Sequence, residues 1–123
     1  MAQIVRSLDE ATTWLPGPGA GVLVAHVPNG PATQGAIVGF IRLAPGGTFP
    51  HHTHLGDETV LVVQGAYRDS EGAVQRAGET VYKAAGTSHA LTALDGPDLI
   101  YLAVVHAGLD LDGDVIDHED PRI

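Results

Sequence analysis

Short segments that alternate between apolar and polar residues run through most of the chain, with turn-forming residues between them. Runs of about four to eight residues rich in valine, isoleucine and aromatic residues, bounded by glycine, proline and aspartate, are typical of β-strands. Seven segments have this pattern: residues 21–27, 36–43, 59–63, 74–76, 79–83, 90–94 and 99–105. With a strand before residue 54 and a short one at Gln3–Arg6, the pattern predicts around nine strands in a sandwich or small barrel.

The composition supports an all-β chain with many turns. Sixteen glycines and eight prolines occur in 123 residues, a length that suits one compact domain. We expect a single domain over residues 1–109, whose first 20 residues form an N-terminal arm. The arm contains a possible helical turn at Ser7–Glu10 and a loop after Trp14, which we interpret as a packing anchor.

Negative charge is concentrated at the C-terminus. The net charge is −9, and the last fourteen residues carry six acids but one arginine. Alternating acids at Asp110, Asp112 and Asp114 resemble part of a calcium loop, but the glycine and the closing residue fall at the wrong positions. Residues 110–123 are therefore predicted to be a mobile acidic tail. Because neither part of the chain offers a basic face, direct binding of nucleic acid is not expected.

The sequence also bears on cellular location and on cysteine chemistry. No apolar run approaches a membrane span, and the N-terminus lacks the basic start and apolar core of a signal peptide, so we expect no membrane association and a cytoplasmic protein. The chain contains no cysteine. Disulfides, thiolate metal sites and cysteine nucleophiles are therefore excluded.

Candidate metal ligands are concentrated in residues 47–65. His52 and His54 would point to one face of a strand because side chains alternate along it. A tight reversal at residues 55–57 would then bring Glu58, at the start of the next strand, back toward both histidines. With His89 from a later stretch, these residues supply the donors that suit zinc, iron, manganese or nickel. We predict one divalent metal ion per chain.

Other histidines and aromatic residues are weaker candidates. His51 follows the opposite alternation from His52 and is not expected to be a ligand. The remaining histidines are isolated and are interpreted as structural or solvated: His26, His106 and His118. Strand register alone does not tell which of four aromatic residues line a pocket: Phe49, Tyr67, Tyr82 and Tyr101.

Two spaced motifs carry a resemblance to a known family. Residues 46–65 follow G-x5-H-x-H-x3-E-x6-G, and residues 78–89 follow G-x5-P-x-G-x2-H except that Ala84 replaces the proline. This pair resembles the two motifs of the cupin superfamily. The resemblance implies a double-sheet jelly-roll β-barrel that holds a metal ion in its interior. The implied ligands are His52, His54, Glu58 and His89.

A narrower resemblance is to the C-terminal cupin domain of ChrR-type anti-sigma factors. It is carried by Gly56, by residues 65–69 and by Glu71–Gly72. Those factors also have an N-terminal sigma-binding domain with a histidine and cysteine zinc motif. This chain has neither the cysteines nor the length for it, and looks like the cupin half alone.

The resemblance leaves two functions open. One is a ChrR-like sensory or ligand-binding module, for which zinc is the implied metal, an oxidant or small molecule is the signal, and a separate regulatory protein is the partner. The alternative is a metal-dependent dioxygenase that cleaves a diketone or hydroxyketone. In either case we expect a homodimer, because cupins commonly pair an N-terminal edge strand across protomers.

Overall fold

The computed structural model describes residues 13–27, 36–117, 120 and 122. The predicted strand at Gln3–Arg6, the predicted turn at Ser7–Glu10 and His118 lie outside the described residues. Within the described chain all regular structure is strand. No helix in this part of the molecule is long and apolar enough to cross a membrane. The strands are β1 Leu15–Pro16, β2 Leu23–His26, β3 Ala36–Leu43, β4 Thr48–His54, β5 Glu58–Gln64, β6 Ala66–Asp69, β7 Val74–Arg76, β8 Thr80–Lys83, β9 Ser88–Ala93, β10 Leu99–His106, β11 Leu109–Leu111 and β12 Asp114–Ile116.

The strands form two six-stranded antiparallel sheets. The first has the order β1-β2-β3-β10-β5-β8, and the second has the order β12-β11-β4-β9-β6-β7. After β3 the chain passes repeatedly from one sheet to the other, so that strands distant in sequence become neighbours. This arrangement confirms the predicted all-β jelly roll.

The hydrophobic core fills the space between the two sheets. In β3, residues at alternate positions are buried, as expected for a strand with one face toward the core. The main-core aliphatic side chains that have no exposed surface come from four strands: Leu43, Val62, Leu99, Val105 and Ile116. Burial of each such side chain contributes roughly 1.5–3 kcal/mol, so this layer fixes how the sheets face each other.

A second, smaller cluster covers the outer face of the first sheet. Trp14 and Phe40 pack against Val63 and Ile100. The guanidinium of Arg42 lies over the Trp14 ring, 5.5 Å from its centroid. Trp14 is therefore a packing residue, as predicted, and it lies on the outside of the sandwich.

The acidic C-terminal segment differs from the mobile tail that we predicted. Residues 109–111 and 114–116 form the β11–β12 hairpin, and β11 pairs with β4. Leu109 and Ile116 are buried in the main core. The acids alternate with these apolar residues, and the Asp110 carboxylate accepts a hydrogen bond from the Gly113 amide in the hairpin turn. The prediction of mobility was wrong for residues 110–116 because the high charge concealed a strand alternation.

Candidate metal centre

A β-bulge in β4 turns the first predicted ligand inward. Phe49 pairs with Leu91 of β9 and His52 pairs with His89. Between these two pairs β4 has two residues and β9 has one, so β4 carries one extra residue. In a regular strand two residues three apart, such as Phe49 and His52, face opposite sides of the sheet, whereas the bulge lets both be buried inside. Pro50, which has no amide hydrogen, lies in the irregular segment, where a lost ladder bond is tolerated.

The turn between β4 and β5 positions the next two ligands. Leu55 donates its amide hydrogen to the Gly108 carbonyl, and His106 donates to the Asp57 carbonyl. A side chain at position 56 would collide with the His106 carbonyl oxygen, so only glycine allows this close approach of the two backbones. The turn therefore delivers His54 and Glu58 to the same interior region from different sheets.

The loop before β9 positions His89 and also holds His54. The His54 amide donates to the Thr87 carbonyl at 2.8 Å, and the Gly86 amide donates to the His54 carbonyl at 2.7 Å. Ala84, in the position of the motif's proline, accepts hydrogen bonds from the amide and the hydroxyl of Thr87. The loop thus keeps its tight form through hydrogen bonds despite the missing proline.

The structure brings the four predicted ligands together. One donor atom from each of His52, His54, Glu58 and His89 lies within 4.8 Å of the others, and all four residues are buried. The three imidazoles form a nearly equilateral triangle, with ring centroids 4.8–5.0 Å apart. Since β4 and β9 belong to the second sheet and β5 to the first, the cluster lies between the sheets.

In two of the histidines, a backbone carbonyl determines which ring nitrogen can bind a metal. Nδ1 of His52 lies 2.8 Å from the Pro50 carbonyl oxygen, and Nδ1 of His54 lies 2.9 Å from that of Thr87. A carbonyl can only accept a hydrogen bond, so each Nδ1 carries the hydrogen. The lone pair is then on Nε2. Carbonyl partners of this kind commonly fix metal-binding histidines in proteins.

The facing atoms of His54 and Glu58 have no hydrogen to share between them. Nε2 of His54 lies 3.0 Å from Oε1 of Glu58. With Nδ1 of His54 as the donor, Nε2 and an ionised carboxylate are both acceptors and repel each other. A positive centre between them, either a proton or a metal ion, removes this repulsion. Both side chains are almost fully shielded from water.

His89 adds a second unsatisfied element. Neither Nδ1 nor Nε2 of His89 has a hydrogen-bond partner among the described residues, although both atoms are buried. Burial lowers the pKa of His52 and of His89 to about 4, so both rings are neutral near pH 7. Neutral imidazole is the form that binds metal ions. The residues present therefore fit a divalent metal, because three nitrogen donors and one carboxylate oxygen lie within 4.8 Å of one another in buried side chains.

A cavity adjoins the cluster and is lined by His52, Glu58 and His89. Its enclosed part has a volume of about 10 Å³. That enclosed part holds roughly one water molecule. A larger ligand would have to bind near the mouth or displace side chains. The remaining lining residues are mostly apolar: Ile41, Phe49, Val60, Tyr67, Val81, Lys83, Leu91, Tyr101, Ala103 and Leu109.

Three of the four aromatic candidates line this cavity. Phe49, Tyr67 and Tyr101 do so, and burial, reinforced by the negative charge of Glu58, raises the pKa of both tyrosines. Tyr82 is 62% exposed and its hydroxyl hydrogen-bonds to Asp57 on the outside. Tyr82 is therefore not a pocket residue.

The other histidines in the described part of the chain stand apart from the cluster. His51 is exposed, as its alternation predicted, and its Nδ1 lies 3.7 Å from a carboxylate oxygen of Asp112. His26 and His106 are not part of the ligand group.

Sequence analysis missed two charged residues beside the centre. Lys83 lines the cavity, and Asp69, which is 5% exposed, lies next to it with 3.7 Å between Nζ and Oδ2. A signal was present for Lys83: it is two residues after Val81, so both point to the inner face of β8. No comparable signal marked Asp69, which lies outside the segments predicted to be strands.

Two antiparallel sheets in a jelly roll, with a buried cluster of three histidines and one glutamate between them, define a cupin. Residues 2–107 match the family described as the ChrR cupin-like domain, and the chain belongs to that family. The predicted superfamily and the narrower ChrR resemblance are both confirmed.

A curated relative extends the comparison by sequence. The chain is 33% identical over 70 residues to a Cereibacter sphaeroides protein named "Putative dimethylsulfoniopropionate lyase DddL". The aligned region is 55% of this chain and 30% of the relative. The chain therefore matches less than a third of that protein's length.

Solved structures share the fold. An RmlC-like cupin protein from Ralstonia eutropha superposes with a TM-score of 0.76 at 28% identity, over 89% of this chain and 76% of that one. The anti-sigma ChrR with SigE from Rhodobacter sphaeroides gives 0.71 at 33% identity, over 85% of this chain and 55% of the other. An acetylacetone dioxygenase from Acinetobacter johnsonii gives 0.74 at 15% identity, over 87% and 80%, a likeness of fold alone.

Proposed function

We propose that the chain is a metal-binding cupin module that holds one divalent ion, with zinc favoured, through His52, His54, Glu58 and His89. The observation that carries this proposal is the contact between two acceptors, His54 Nε2 and Glu58 Oε1, at 3.0 Å. Their mutual repulsion is relieved by a cation between them. The two unpartnered nitrogens of His89 support it independently. Iron, manganese and nickel accept the same donors.

We further propose a sensory role like that of ChrR. The 33% identity to ChrR extends over 85% of this chain, so the likeness includes the region of the metal centre. The match covers 55% of that other chain, and in this role the regulatory signal passes to a protein partner. In this role an oxidant or another small molecule acts on the metal or its ligands, and loss of the metal changes the stability of the fold.

The cavity beside the cluster favours a second candidate, a metal-dependent dioxygenase acting on a diketone or hydroxyketone. A metal with open coordination positions on the cavity side would have room for a small ligand near the mouth. The fold likeness to an acetylacetone dioxygenase is consistent with this candidate but, at 15% identity, extends only to the fold.

Elemental analysis of protein purified without added metal tests these proposals. The variants are His52→Ala and Glu58→Ala, and the matched control is His51→Ala, which removes an exposed neighbouring imidazole. Stoichiometric zinc that is lost in both variants but kept in the control supports the sensory module. Iron, manganese or nickel, together with oxygen uptake when acetylacetone is added, supports the dioxygenase. If the protein takes up no metal even after reconstitution, the metal centre is refuted.

We also propose that the chain forms a homodimer in the cytoplasm. Among the described strands, β8 and β7 lie at sheet edges, where backbone groups are available for pairing. Light scattering of the purified protein measures the mass in solution. A mass equal to a single chain would rule the dimer out.

A further inference from the structure

Lys83 points at the metal centre from the strand next to Glu58. In the β5–β8 ladder, Glu58 and Lys83 are directly paired. Paired residues on neighbouring antiparallel strands project to the same face of the sheet. Because Glu58 faces the interior, Lys83 does too. Both line the cavity, as His52 and His89 do. Lys83 is the only lysine in the chain.

The Asp69 carboxylate, on the opposite sheet, lies beside the Lys83 ammonium without accepting a hydrogen bond from it. Oδ1 of Asp69 accepts hydrogen bonds from the amides of Glu71 and Ala73, so its side chain is fixed. Oδ2 lies 3.7 Å from the Lys83 ammonium, which is too long for a hydrogen bond. The ammonium makes no side-chain hydrogen bond within the described part of the chain, and the lysine side chain is 22% exposed. It is therefore oriented but still able to donate to a ligand.

With a divalent metal ion bound, the charges around the cavity would sum to +1. A divalent ion bound by Glu58 and three neutral imidazoles carries a net charge of +1. Lys83 and Asp69 cancel each other, and the other lining residues are mostly apolar. A charge without a partner in such surroundings is unfavourable. An anionic ligand would neutralise it.

We propose that Lys83 is the anion-recognition residue of this site and that the ligand of the metal centre is a small carboxylate. One carboxylate oxygen would bind the metal and the other would accept a hydrogen bond from the Lys83 ammonium. This inference rests on the proposed metal binding and specifies the class of ligand that the module takes.

The single lysine permits a test on the unaltered protein. Zinc-loaded protein carrying lysine labelled with ¹³C at Cε gives one lysine side-chain NMR signal, because no other lysine is present. We expect acetate, added at constant ionic strength, to shift this signal in a saturable manner. Acetamide, a neutral analogue of the same size, should leave it in place. A signal that acetate does not move would overturn the proposal.

Substitutions then measure the contribution of the charge. Lys83→Met should weaken acetate binding about tenfold or more, the effect of losing one charged hydrogen bond. Lys83→Arg should restore most of the affinity. Arg76→Met, which removes an exposed positive charge on β7, is the matched control and should bind acetate like the unaltered protein.

Zinc content separates the two ways in which the reasoning can fail. If Lys83→Met keeps one zinc per chain and binds acetate with unchanged affinity, the anion site is wrong and the metal centre stands. If the unaltered protein takes up no metal even after reconstitution, both proposals fall. Should Lys83→Met fail to fold, the NMR titration of the unaltered protein still decides the question.

Discussion

Replacing His89 by leucine should make the metal-free protein more stable while it weakens metal binding. His89 is 4% exposed, and both of its ring nitrogens are buried without a hydrogen-bond partner in the described structure. The metal-free fold therefore carries an unsatisfied polar group whose only evident use is to bind a ligand. A leucine would keep a similar volume and remove that group.

The magnitude follows from two opposing effects. An unsatisfied buried polar group costs about 1–3 kcal/mol of folding free energy. A volume-conserving exchange in a packed interior usually costs less than about 1.5 kcal/mol. We expect a net gain in unfolding free energy of about 1 kcal/mol for His89→Leu without metal, or a rise in melting temperature of about 4 °C.

Thermal denaturation with and without zinc measures both effects. Near pH 7.5 the imidazole is neutral in the folded and unfolded states, because burial lowers its folded pKa from 6.5 to about 4. Protonation therefore does not enter the comparison. Zinc at about 100 times its dissociation constant should stabilise the unaltered protein by roughly 2.7 kcal/mol and His89→Leu far less. The control His51→Leu, at an exposed position, should respond to zinc like the unaltered protein. A metal-free His89→Leu protein that melts well below the unaltered one would falsify the reasoning.

Three further outcomes follow from the structure. In the metal-free protein, the two histidines whose pKa burial lowers from 6.5 to about 4 bind protons more readily when unfolded, so the unfolding free energy should fall as pH drops from about 6.5 to about 4. Denaturant titrations across that range check this, and a pH-independent unfolding free energy would contradict it. Ile116→Ala should cost about 2–5 kcal/mol of stability because Ile116 is fully buried, whereas Val115→Ala, at a 54% exposed neighbour, should cost little. Equal denaturation midpoints for these two variants would show that the β12 strand is not part of the core. Gly56→Ala should lower both the melting temperature and the zinc affinity, because the added methyl group collides with a backbone carbonyl beside the ligand-bearing turn. Unchanged zinc affinity, measured by competition with a chelator, would show that the turn does not control ligand position.

The sequence by itself predicted the candidate ligands and the class of fold. Strand alternation placed His52 and His54 on one face, and a glycine-containing reversal returned Glu58 toward them, because both features depend only on local backbone geometry. The same alternation placed Val81 and Lys83 on one face of β8, a signal that our sequence analysis did not use. These inferences needed no knowledge of which strands become neighbours.

Only the tertiary structure decided the features that depend on pairing between distant strands. The bulge in β4 exists because β9 offers one residue fewer between its paired positions, and it turns Phe49 and His52 inward together. The acidic C-terminal segment became a core hairpin because β4 had a free edge for β11, which no local pattern shows. Likewise, Asp69 lies beside Lys83 because the two sheets face each other across the core. Side-chain alternation is local and can be read from the sequence, whereas register and sheet order are set by contacts between residues far apart in the chain.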